Sequence, residues 1–163
     1  MSRGIRSPDA TKPSPPRIWT VEEANARIEG LGELLPQLKT WAVRLGEVHA
    51  ELRRLAQFWG RDVDATDSPD RDLKTRLEAE WRNLSHRLEE AVSALQSEGI
   101  EVKDLETGLV DFYALREDQL VLLCWRRGEP EVSFFHTLEG GFRSRQPLPD
   151  DATFASSRPR TRT

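Results

Sequence analysis

From Leu34 onward the apolar residues advance by four and three through Leu38, Trp41, Leu45, Val48, Leu52, Leu55 and Trp59, the heptad spacing of a helix with one apolar stripe. At 1.5 Å per residue the part from Pro36 to Trp59 measures about 36 Å, longer than a small domain requires. Upstream, Thr20 stands three residues before Glu23, the spacing of a capping box, so the helical segment opens near Val21. Pro36 lacks an amide hydrogen and clashes with the preceding turn, which predicts a kink or a break near Leu35. After a polar connector at 60–67, Ser68-Pro69 places a capping residue before a first-turn proline. A second stripe then runs through Leu73, Leu77, Trp81, Leu84, Leu88, Ala91 and Leu95, up to the helix-stopping Gly99. Two such helices with a short connection predict an antiparallel, coiled-coil-like hairpin.

Beyond Gly99 the period changes to two. Val110, Phe112 and Ala114 alternate with Asp111 and Tyr113, Arg116-Glu117-Asp118 reads as a polar turn, 120–125 is apolar throughout, and 132–137 follows a second turn at 127–130. This predicts a three-stranded antiparallel sheet. With a three-residue first turn, one face gathers Val110, Phe112, Ala114, Leu120, Leu122, Cys124 and Phe135. The other face then carries Asp111, Tyr113, Val121, Leu123, Trp125, Val132, Phe134 and His136. The apolar face is expected to lie on the helices. The stripes are flanked by Leu35, Ala42, Ala56 and Val92, too wide for two helices to cover alone, so the sheet, a second copy of the chain, or both complete the layer.

The fold class is therefore α+β, a long helical hairpin followed by a small sheet packed on it. One folded domain is expected over 18–149, with the hairpin at 18–99 and the sheet and a loop at 100–149. The Pro-rich 1–17 and the basic 150–163 read as disordered arms. Charged residues make up 32% and hydrophobic residues 37%, and the formal charge is −4, which disfavours nucleic-acid binding by bulk charge. The longest apolar run is far short of the roughly 20 residues that span a bilayer, and no charged-then-apolar leader opens the chain. With a single cysteine, Cys124, the expected compartment is the cytoplasm.

Candidate chemistry concentrates after residue 104. Asp111 and His136 have the makings of a base and its partner, with Glu106, Arg126, Glu129, Arg143 and Arg145 in adjoining loops as acids or anion clamps. If the strands pair as expected, the central strand separates Asp111 from His136 by about 10 Å, too far for a hydrogen bond. Trp125-Arg126 would offer a stacking surface, or else Trp125 simply covers the sheet. Gly140-Gly141 and the arginines after them form a weak candidate anion loop that matches no phosphate-loop spacing. Cys124, alternating with Leu122 and Leu120, reads as a buried inert thiol. His49 and Glu80 are expected to face each other as a polar pair within the hairpin, two groups being too few to hold a metal. No metal site and no cofactor follow from the spacing, and no catalytic residue can be singled out.

The stretch 103–112, then Leu123-Cys124-Trp125-Arg126-Arg127-Gly128-Glu129, then Phe135-His136, Gly141-Phe142 and Arg145-Gln146-Pro147-Leu148, resembles the bacterial and archaeal domain-of-unknown-function family 2203. Trp19-Thr20-Val21-Glu22-Glu23-Ala24-Asn25 is similar to that family's opening. The departures are Tyr113, where proline is common, and Phe135, where tryptophan commonly precedes the His. The resemblance implies a family-wide module and no activity, cofactor or catalytic residue.

The expected function is a non-enzymatic binding or scaffolding module that takes a protein partner or a small anionic ligand through Glu106, Asp111, Trp125, Arg126, Glu129, His136, Arg143 and Arg145. A homodimer through the hairpin accompanies it, with no membrane partner. One alternative is an enzyme or metal-dependent hydrolase using Glu106, Asp111 and His136. Another is a nucleic-acid-associated factor using its basic arms.

Overall fold

A computed structural model describes residues 16–150 except Thr66, so nearly all of both expected arms lies outside the described residues. Helix α1 spans Val21–Trp59, a short 3-10 turn covers Gly60–Asp64, and helix α2 spans Arg71–Ser97. Five strands follow: β1 Ile100–Asp104, β2 Leu109–Arg116, β3 Gln119–Arg126, β4 Phe134–Thr137 and β5 Gln146–Pro147. They form one antiparallel sheet in the order β1-β2-β3-β4-β5. The architecture is α+β as expected, but two short edge strands enlarge the predicted three-stranded meander.

The capping box at Thr20 and Glu23 forms, with each backbone amide bonded by the other residue's side chain. Pro36 neither breaks α1 nor ends it. The carbonyl left without its usual amide, that of Gly32 four residues earlier, accepts instead from Arg127 Nε at 3.3 Å. Helix α2 begins later than the Ser68-Pro69 signal suggests. Its N-cap is Asp70, whose carboxylate accepts from Trp59 Nε1 at 2.7 Å and ties the two helix ends together. Gly99, at φ +76°, turns the chain from α2 into β1. A Cβ there would sit 2.4 Å from the Arg17 carbonyl, so the close approach admits glycine alone.

One core unites sheet and helices. Ala24, Leu31, Leu35 and Leu38 of α1 and Leu95 of α2 pack with Ile100, Val110, Phe112, Leu123, Trp125 and Phe135. Trp19 adds an edge-to-face contact with Phe112 at 5.3 Å, and its indole N–H donates to the Glu98 carbonyl at 2.7 Å. Val132, expected within a strand, instead gives its amide to Asn25 Oδ1 of α1 at 2.7 Å, and β4 begins only at Phe134. Farther along the hairpin the burial thins. Val48, Val63 and Leu77 are buried, the other stripe residues are half-buried, and Val43, Phe58 and Trp81 are exposed.

The face assignment of β3 is the main correction. Glu117 and Asp118 both adopt positive φ, forming a two-residue turn in which Arg116 pairs with Gln119. Phe112 therefore faces Leu123 and Val110 faces Trp125, so Val121, Leu123 and Trp125 point at the helices. Leu122 and Cys124 share the opposite face with Asp111, since cross-strand partners lie on one side of a sheet. The sequence expectation used a turn one residue longer, and that single residue inverted the whole strand.

Removing the ring at the centre of this core, Phe112→Ala, is expected to lower the unfolding free energy by about 3–5 kcal/mol in urea denaturation. The same change at the exposed Phe58 should stay within about 0.5 kcal/mol.

Candidate functional site

The outer face of the sheet, away from the helices, carries a buried polar cluster. Asp111 of β2 and Cys124 of β3 are cross-strand partners, and Cys124 in turn pairs with Phe134 of β4. His136 stands one row along, opposite Leu122. Its Nε2 nevertheless lies 3.0 Å from Asp111 Oδ2. The two strand spacings between them, about 10 Å, are bridged because imidazole and carboxylate lean toward each other past the short Cys124 side chain. The expectation that these groups are too far apart is thus overturned. Asp111 is 1% and His136 2% exposed, and Cys124 is fully enclosed.

Burial raises the Asp111 carboxyl above its ordinary value, while His136, the Cys124 thiol and Lys103 act against that rise by favouring the carboxylate. Burial and then the neighbouring Asp111 push the Cys124 thiol up to about 12. The ring of His136 has both nitrogens committed. Nδ1 lies 2.7 Å from the Thr137 carbonyl, which can only accept, so Nδ1 carries a hydrogen. With Nε2 on Asp111, neither nitrogen is placed to take a proton from Cys124. A cysteine nucleophile activated by this histidine is therefore not what the geometry builds. Asp111 Oδ1 is buried with no hydrogen-bond partner.

Two shells flank the cluster. On the β1 side, Glu101, the cross-strand partner of Asp111, accepts from the Tyr113 hydroxyl and from Lys103, and these bonds hold its carboxyl below the usual range. On the β4 side, Glu129 accepts from Arg145 Nη2 at 2.6 Å and from the Arg126 backbone amide at 2.8 Å. Arg145 stacks over Phe134 at 3.8 Å and over Phe142 at 4.9 Å, and Arg126 approaches the same Phe142 ring at 5.8 Å. The 3-10 turn Phe142–Ser144 is what brings that ring back against the two guanidinium groups.

Of the sequence candidates, Asp111, Arg126, Glu129, His136 and Arg145 gather at this edge of the outer face. Trp125 does not: it is buried in the helix-facing core, its indole N–H donating to the Glu129 carbonyl at 3.0 Å. Glu106 sits in the β1–β2 turn on the helix side. There it pairs with Lys39 of α1 at 2.8 Å, and it lines a separate cleft with Pro36, Gly108 and Arg127. Arg143 is exposed on the Phe142–Ser144 turn. Cys124, Glu101, Lys103 and the ring pair Phe134 and Phe142 were not read as site residues. A two-residue turn at Glu117-Asp118 was the signal for Cys124, and the alternation of Ile100 and Val102 with Glu101 and Lys103 was the signal for β1. The expected His49–Glu80 pair is replaced: Glu80 accepts from Arg44 at 2.6 and 2.9 Å, and His49 is exposed.

The family described as "Uncharacterized conserved protein (DUF2203)" matches residues 17–148, most of the chain, and the protein belongs to that family. No curated protein and no solved structure matches it. Among the described residues no helix is long and apolar enough to cross a membrane.

The enclosed thiol should resist a disulfide reagent at neutral pH until urea unfolds the chain. Because folding raises the Cys124 value from 9.0 to about 12, its contribution to stability is full below pH 9 and is lost as pH climbs toward 12. Tyr113, also raised to about 12, titrates in the same window. Comparing wild type with Cys124→Ser in denaturant melts isolates the thiol: the variant should lose less stability between pH 9 and 12, and an equal loss would contradict the assignment.

Proposed function

We propose that the protein is a non-enzymatic binding module that docks an acidic group of a partner protein on the patch formed by Arg126, Phe142 and Arg145. The observation that carries this reading is the unequal state of the two guanidinium groups at one ring. Arg145 is fixed by Glu129 and by stacking on Phe134, whereas Arg126 is exposed and makes no ion pair among the described residues. A planar cation held over an aromatic ring beside a rigid sheet is pre-organised for a carboxylate or a phosphate. Arg143, one residue beyond Phe142, extends the cationic edge.

The hairpin supports a second element of the reading, a homodimer in which two hairpins complete a four-helix, coiled-coil-like layer. Its outer part leaves Val43 52%, Phe58 79% and Trp81 41% exposed, apolar surface that a second copy would cover. A lone buried thiol suits a reducing compartment, and we place the protein in the cytoplasm.

A hydrolase drawing on Glu106, Asp111 and His136 together finds less support, because Glu106 is held by Lys39 on the helix side of the sheet. A nucleic-acid role rests on the arms, nearly all of which lie outside the described residues.

Binding is tested with a fluorescent oligoglutamate peptide and with inorganic phosphate as probes. Oligoglutamate should bind the full chain in a salt-sensitive way, and the combined change Arg126→Ala and Arg143→Ala should weaken it by at least about tenfold, since hydrogen bonds to charged groups contribute about 1.5–3 kcal/mol. Wild-type protein that binds neither probe, or a double variant that binds as well as wild type, would sink the reading. Native mass spectrometry should show a dimer that Trp81→Asp shifts to monomer; a wild-type monomer at micromolar concentration would remove the dimer from the proposal.

A further inference from the structure

Three neighbouring strands each deliver one donor of a different chemistry to a single buried point. The Asp111 carboxylate comes from β2, Cys124 Sγ from β3 and the His136 imidazole from β4. With one ligand atom taken from each, these atoms lie within 4.8 Å of one another. All three residues are buried.

The geometry of the histidine is that of a ligand. Its Nδ1 hydrogen is anchored on the Thr137 carbonyl at 2.7 Å, which leaves Nε2 to present a lone pair toward Asp111 Oδ2 at 3.0 Å. Two lone pairs do not meet at that distance unless a positive species stands between them, and the choices are a proton or a metal cation. Anchoring the far ring nitrogen on a backbone carbonyl is the means by which metal-bound imidazoles are oriented. A second observation is independent of the first. Asp111 Oδ1 is buried with no partner at hydrogen-bond geometry, and besides His136 the Cys124 thiol is the hydrogen-bonding side chain that acts on this carboxylate.

We propose that Asp111, Cys124 and His136 bind one divalent cation of the zinc class. Thiolate and imidazole select zinc, cobalt or a similar ion over magnesium and calcium, which prefer oxygen donors. Zinc bonds of about 2.0–2.3 Å place tetrahedral ligands about 3.5 Å apart, so by side-chain rotation the most distant donors close by roughly 1 Å while the 3.0 Å contact of His136 with Asp111 opens slightly. Charge balances in the buried site. The cation enters with two positive charges, one proton leaves the Cys124 thiol, and one leaves the Asp111–His136 contact. What remains is a neutral set of carboxylate, thiolate, imidazole and ion. Arg145, which acts electrostatically on Cys124, is paired with Glu129 at 2.6 Å, and this moderates its opposition to the ion. Three protein donors leave a fourth position for water or for a group brought by a partner. This site is separate from the acidic-group patch of the proposed function, and either can stand without the other.

The test uses the full chain, purified under reducing conditions without chelator or metal-affinity tag. Cobalt(II) titration of the metal-stripped protein should reach about one ion per chain and produce sulfur-to-cobalt charge-transfer absorption. Zinc should raise the melting temperature, and a chelator should reverse the rise. Cys124→Ser should keep the circular dichroism of the stripped wild type, lose the charge-transfer band and weaken zinc binding by at least about tenfold. Absence of stoichiometric cobalt or zinc binding, cobalt binding without a thiolate band, or a Cys124→Ser protein that holds zinc as tightly as wild type would each overturn the proposal. If the serine variant fails to fold, the thiolate band and the zinc-dependent melt of the wild type decide alone.

Discussion

The hairpin joining β2 to β3 governs the rest of the molecule. Its turn is two residues long, with both Glu117 and Asp118 in the left-handed region, and that length fixes the parity of every pair behind it. Phe112 and Leu123 are sent to the helices, while Asp111 and Cys124 are sent away from them. One more residue in the turn would place the thiol in the hydrocarbon core and the aliphatic side chains at the polar cluster. Core and candidate site are thus two faces of one constraint and cannot be altered independently.

The parts legible in the sequence were those with a local cause. The start of α1 followed from Thr20 and Glu23, and the stop of α2 from Gly99, because caps act over three or four residues. The parity of β3 was not legible, since a run apolar at every position between Leu120 and Trp125 carries no alternation and only the turn could set it. The Asp111–His136 contact was missed for a related reason. Strand spacing describes backbones, and an imidazole and a carboxylate leaning toward each other past a short cysteine close a gap that backbones leave open. Arg126, Glu129 and Arg145 were found because turn residues with charge are visible as such. Their partners Phe134 and Phe142 were not, since nothing in the sequence announces that the Phe142–Ser144 turn folds back.

Polar groups on the outer face are linked in chains, with Asp111 Oδ1 left unpaired. Lys103 and Tyr113 meet on Glu101, His136 links Asp111 to the Thr137 carbonyl, and Glu129 joins the Arg145 side chain to the Arg126 backbone. Such chains stiffen a sheet face that, among the described residues, no second layer of secondary structure covers, because each member limits the rotation of the next. One chain ends at the Arg126 backbone amide, and the Arg126 side chain beyond it is exposed, whereas that of Arg145 is held by Glu129.

Pro36 illustrates how an apparent flaw can supply information. An uninterrupted helix presents the same hydrogen-bonded surface turn after turn, so nothing but side-chain shape prevents it from sliding along the strands beneath it. The imino acid leaves one acceptor at Gly32 without its usual donor, and Arg127 reaches across from the end of β3 to fill it. That carbonyl serves as a keyed notch: shifting the rod by one turn would leave notch and key mismatched, as it would the ties of Asn25 to Val132 and of Lys39 to Glu106, so the place where the helix lacks a bond helps to set its alignment on the sheet.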